Sequence, residues 1–190
     1  MDKIFIYLGL INILGLVLYI PYKSLRSRII KSILTLILYL TGICGGSLGL
    51  ILAILIFDRN EAKEGLSLKV FAFASFVIEL VLFLLFRKDM RSLSFDFVGF
   101  FEDKPYLLIY LGLINLISFL AFGFDKYRAN RDKRRLKNGL LLGLSFIGGA
   151  VGGLIGMKVF RHKTKKAYYK MGLPLMILMQ VLLLILIMNT

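Results

Sequence analysis

Two sets of residues in this chain have the types and spacing to do chemistry. The first lies inside apolar runs. Glu79 is the only acid within any of them, in VFAFASFVIELVLFLLF. A carboxyl at membrane depth is costly and marks a functional candidate, and a proton lowers that cost, so proton coupling or cation binding follows from its position. Asn12, Asn115 and Gln180 are amides at the same depth, and the glycines Gly45, Gly46, Gly49, Gly148, Gly149 and Gly152 interrupt two further runs. Together these ten residues form a candidate midplane site. The amides also have a simpler role, hydrogen bonds between helices worth about 0.6–2 kcal/mol each, and for the two asparagines that role is preferred.

The second set is basic. DKYRANRDKRRLKNG (125–139) and KVFRHKTKKAYYK (158–170) hold Asp125, Lys126, Arg134, Arg135, Arg161, His162, Lys163 and Lys166. The ordinary partner of such loops is anionic lipid headgroups, each cation contributing about 1 kcal/mol near the surface. A phosphorylated ligand comes next and nucleic acid last, because Tyr127, Tyr168 and Tyr169 read as interfacial residues and not as stacking platforms. His162 has no ligands at metal spacing, and no nucleophile or phosphate-loop motif occurs. Asp125 is the one acid that could act with His162 if their loops meet, which makes a headgroup enzyme a third reading. No cofactor, metal or catalytic residue is assigned.

The elements that position these residues are membrane helices. With 58% hydrophobic residues, mean hydropathy +0.82 and net charge +14 in 190 residues, lipid must be part of the solvent. The lone Cys44 in an apolar run argues against disulfides and a thiolate metal site. Apolar runs fall at 4–21, 33–57, 70–86, 105–124, 139–160 and 171–188, each long enough for about 30 Å of hydrocarbon. The first reads as a retained helix and not a cleaved signal.

The chain reads as a duplicate. IYLGLIN recurs at 6–12 and 109–115, and the same shift of 103 aligns Lys23 with Lys126, Gly45-Gly46 with Gly148-Gly149, Gly49 with Gly152, and Phe57 with Phe160. A two-residue shortening then brings Glu79 onto Gln180. The expected domains are a first repeat (1–88), an extracytoplasmic linker (89–104) and a second repeat (105–190).

Charge distribution chooses between two topologies. If all six runs cross, Lys and Arg divide 11 to 14 between the two faces. If the glycine runs enter and return on one side, 20 of the 25 lie on a single face, a normal cytoplasmic orientation. The expectation is therefore an all-helical membrane protein in which each repeat is a helix, a glycine-rich re-entrant hairpin and a helix, both termini outside. A third spanning helix in place of each hairpin is the alternative.

The second half carries a resemblance. INLISFLAFGFDKYRA, LLLGLSFIGGAVGGLIGMKVFRHKTKK and GLPLMILMQVLLL are similar to the bacterial domain-of-unknown-function family 1294 over about 107–187. The motifs are Asp125-Lys126, Gly148 to Gly152, and Phe160-Arg161-His162-Lys163-Thr164. In the first half Tyr22 replaces the Asp, and FDRNEAK replaces the F-R-H-K-T stretch. The resemblance implies a small membrane protein and brings no activity; cold-shock domains fused to some members imply a link to nucleic acid.

The leading expectation is a channel or carrier for a small ion or anionic solute, with its site at the midplane between the repeats in the inner membrane. The alternative is a non-transporting protein whose basic cytoplasmic face binds anionic lipid, a phosphorylated ligand or nucleic acid. A second copy of the chain is a further expected partner.

Overall fold

The computed structural model describes residues 2–25, 27–58, 65–87, 93–131, 134 and 136–190. They form helices joined by short connections, with no strand among the described residues. Among the described residues six helical runs are long and apolar enough to cross a membrane: Lys3–Ser24, Ile29–Phe57, Leu66–Phe86, Pro105–Asn130, Asn138–Val159 and Ala167–Met188. The protein is a multi-pass helical membrane protein. It divides into two compact units, Met1–Leu80 and Val81–Thr190, each described by itself below.

The first unit holds α1 (Asp2–Ser24), α2 (Arg28–Thr41), α3 (Ser47–Phe57) and most of α4 (Leu66–Phe86). Between α2 and α3 the segment Gly42–Gly46 stays helical except at Gly45, where φ is 100°. That left-handed conformation is open to glycine and strained for residues with a side chain, so it turns the chain here. Contacts with α1 give the direction of α3. The Tyr7 hydroxyl donates to the Cys44 carbonyl at the turn, and the Tyr19 hydroxyl meets Asp58 just past the end of α3. Lys31, near the start of α2, lies over the ring of Tyr22. The glycine run thus folds back, and both its ends lie beside the C-terminal end of α1.

The second unit begins within α4 and continues through α5 (Phe97–Asp103), α6 (Pro105–Asn130), α7 (Asn138–Leu144), α8 (Ala150–Val159), the single turn α9 (Ala167–Lys170) and α10 (Gly172–Met188). Its turn is at Gly148, with φ 135°. Tyr110 donates to the Ile147 carbonyl beside it. At the other end Lys163, past the end of α8, bonds Asn138 at the start of α7 at 2.9 Å. Asn138–Val159 is long and apolar enough to cross a membrane, and Asn138 at its start bonds Lys163 beyond its end.

Close approach of helix backbones makes the fold-back compact. A Cβ on Gly49 would overlap the Asn12 carbonyl oxygen, and one on Gly152 would overlap that of Asn115. Small residues let helices approach where lipid supplies no hydrophobic drive between them.

Candidate functional site

A turn inside an apolar helix leaves backbone groups without partners, which is unfavourable where water is absent. The polar residues of the apolar runs meet that need. Asn115 donates to the Leu111 carbonyl (2.8 Å) and the Gly148 carbonyl (3.0 Å), and accepts from the Gly152 N–H (2.7 Å). Asn12 makes the same three bonds, to Leu8 (2.7 Å), Gly45 (2.9 Å) and Gly49 (2.6 Å). Gln180 donates to the Ser145 carbonyl at 2.6 Å. Glu79 accepts from the Ser47 hydroxyl.

Within each unit the candidate midplane residues therefore do come together, at the turns. Their side chains are spent largely on the backbone of those turns. Gly46 and Gly149 are part of the same packing, since a Cβ on either would press on carbonyl oxygens of its own run and of the long helix. Tyr7, Tyr110 and Ser47 belong to this group and are not singled out by the sequence reading. The two tyrosines lie at the same register of the repeated IYLGLIN, which is the signal that marks them.

The second cluster closes the open end of the second fold-back. Asp125 lies on the buried face of α6 with Ile114, Ser118 and Phe122 and is itself fully buried. One carboxylate oxygen accepts from the Leu136 N–H at 2.7 Å. The other meets His162 Nε2 at 2.7 Å and Lys163 Nζ at 2.8 Å. Lys163 also donates to Asn138 and stands over the buried Tyr169 ring, whose hydroxyl reaches Asn138 as well. Four segments are tied by one carboxylate and its partners: the end of α6, the entry to α7, the exit of α8 and α9.

The two basic loops thus meet, and Asp125 and His162 form a direct contact. Among the described residues no group of three metal-ligating side chains forms. The first unit closes its own open end differently. Asp58 pairs with Lys69 at 3.0 Å, and Tyr22 is buried.

The exit of α8 has unusual backbone. The His162 N–H bonds the Met157 carbonyl and the Arg161 N–H that of Lys158. This pair of bonds closes a helix C-terminus whose next residue takes a left-handed φ and is ordinarily glycine. Here that residue is Arg161, with φ 46°, and Lys163 follows with φ 59°. A side chain in that region costs of order 1–3 kcal/mol and persists when the surroundings over-determine it. The buried Asp125 contacts supply the determination. Arg161, Lys166 and Arg134 are exposed and Lys126 half-buried, and no acidic partner is found for any of them among the described residues. Arg135 lies outside the described residues.

This constellation coincides with a known sequence family. The model of a protein of unknown function, DUF1294, matches residues 115–169, from the asparagine at the turn to the tyrosine that closes the open end. An uncharacterised protein of Bacillus subtilis (strain 168), YsdA, is 42% identical over 74 residues, covering 39% of this chain and 83% of that protein. This chain belongs to the DUF1294 family. The DUF1294 match takes in Asp125, the glycine turn, Arg161, His162 and Lys163, and leaves Glu79 and Gln180 outside it. No solved structure matches the chain.

Proposed function

We propose that this DUF1294 protein docks the phosphate headgroups of anionic lipid on the basic loops of its second half. The carrying observation is Arg161, an exposed cation held in a backbone slot suited to glycine, on a loop fixed by Asp125. A conformational cost retained at an exposed guanidinium, with no acidic partner among the described residues, is consistent with selection for the side chain. On the other loop Lys126 follows Asp125 in sequence, and Arg134 lies two residues before Leu136, whose N–H meets the same carboxylate. Guanidinium groups suit phosphate because they present several N–H donors in one plane. The chain is further proposed to be a duplicate whose glycine runs re-enter from the cytoplasmic side of an inner membrane, with the basic loops on that side.

The discriminating variant is Arg161→Gly. It removes the backbone cost and is expected to raise unfolding stability by up to about 1 kcal/mol. In the same sample, native mass spectrometry is expected to show several-fold weaker retention of phosphatidylglycerol, with phosphatidylcholine unaffected. Unchanged phosphatidylglycerol retention overturns the reading. Loss of binding to a soluble phosphate ester or an oligonucleotide, with lipid retention intact, moves the assignment to that partner.

Topology has its own test. In a Cys44→Ser background, single cysteines at Lys31, Arg131 and Lys165 are expected to resist an impermeant thiol reagent outside intact cells and to label after permeabilisation. Labelling at Arg131 alone from outside would mean that the glycine runs cross.

Transport of a small ion or anionic solute at the turns is the second reading. Asn12 and Asn115 have little capacity left for a solute, since both ends of each amide bond the turns. What favours the reading is Glu79.

A further inference from the structure

Glu79 lies in α4, against the turn of the first unit. The Ser47 hydroxyl donates to Oε2, and the backbone N–H groups of Ser47 and Gly45 also face the carboxyl. The other oxygen, Oε1, is buried and takes no hydrogen bond. An ionised carboxylate shares its charge between both oxygens, so this arrangement would leave half of the anion without a donor at membrane depth. A carboxylic acid has different needs. Its carbonyl oxygen accepts at Oε2, and a hydroxyl without a partner at Oε1 is uncharged and costs less than an anion there.

No cation compensates the site among the described residues. Lys69, on the same helix, is bound to Asp58. The α3 sequence SLGLILAILIF has no ionisable residue. Tyr7 spends its hydroxyl on the Cys44 carbonyl, and Tyr39 packs edge-on against Phe71.

The second half has an amide at the corresponding place. Gln180 is used there as a donor, its Nε2 bonding the Ser145 carbonyl ahead of the turn. A glutamate can meet a carbonyl in that way only if it carries a proton.

We propose that Glu79 holds a proton in the folded first half, so that the turn is a proton-binding site. Ser47 marks the carbonyl oxygen Oε2, and Oε1 carries the hydroxyl. The second half has an amide there, Gln180, which donates to a backbone carbonyl and has no proton to exchange. This inference does not rest on the lipid-docking reading, because Glu79 lies outside the basic loops.

The test is infrared spectroscopy of the full chain in lipid at neutral pH, with glutamate carboxyl carbons isotopically labelled in a parallel sample. The expected result is a protonated-carboxyl C=O band that moves with the label and is absent in Glu79→Gln. Circular dichroism should show unchanged helix content in that variant, because glutamine is what Gln180 supplies in the other half. Absence of a label-sensitive band in the wild type overturns the proposal, as does persistence of the band in folded Glu79→Gln. Should the variant fail to fold, dicyclohexylcarbodiimide applied to the wild type decides. The acid's proton passes to a carbodiimide nitrogen and its oxygen bonds the central carbon, leaving an adduct on the peptide that contains Glu79. No adduct there at neutral pH counts against a held proton.

Discussion

Gly152→Ala is expected to cost roughly 3–6 kcal/mol of unfolding stability and most of the yield of folded protein. The added methyl would overlap the Asn115 carbonyl oxygen, which is backbone and cannot swing aside. Relief requires α8 to move away from α6. That movement stretches the Asn115 bonds to the Gly152 N–H and the Gly148 carbonyl, now 2.7 and 3.0 Å. Backbone groups at the turn then lose partners where water does not replace them. Gly49→Ala meets the same obstacle at Asn12 in the first unit. Gly143→Ala is the control, because nothing lies within 4 Å of a Cβ there, and its effect should stay within about 0.5 kcal/mol. Unfolding midpoints in one detergent compare the three. A Gly152→Ala protein as stable as the Gly143→Ala protein would show that the backbones are not in contact as described.

That contrast between glycines is not readable from the chain alone. Gly143 and Gly152 both sit in an apolar run, and only tertiary contact separates them. What was legible followed from rarity. Amides and a carboxyl are unusual in apolar sequence, so Asn12, Asn115, Gln180 and Glu79 stood out, although their partners did not. The structure spends the amides on the backbone of the turns. The sequence reading places all three amides in a candidate midplane site and prefers a structural role for the two asparagines. Tyr7 and Tyr110 escaped notice because tyrosine near a helix end reads as an interfacial residue. The expectation that the glycine runs re-enter rests on charge, since only a return to the same side collects the basic loops on one face. Asp125 and His162 were legible as a pair conditional on their loops meeting. Asn138 and Tyr169 were not, since Lys163 reaches Asn138 across 25 residues by tertiary packing alone.

Removal of the Asp125 carboxylate should have the second large effect. Asp125→Ala is expected to cost about 3–5 kcal/mol, because it leaves the Lys163 ammonium buried without its counter-charge. The Leu136 N–H and His162 lose their acceptor in the same step. Replacing both charges by apolar residues of similar volume should be far milder. Buried pairs exchanged for packed hydrophobics are often neutral in stability. Asp125→Leu with Lys163→Met is therefore expected to regain at least half of what Asp125→Leu alone loses. A double-mutant cycle measures the difference, and a coupling below about 0.5 kcal/mol would rule out this pair as what closes the fold-back. The recovered double variant also separates folding from docking. Its loop would lack the contacts that hold Arg161 at φ 46°, so it should be stable yet retain anionic lipid less well than the wild type. Stability restored together with full lipid retention would mean that Arg161 does not need the Asp125 contacts to present its guanidinium.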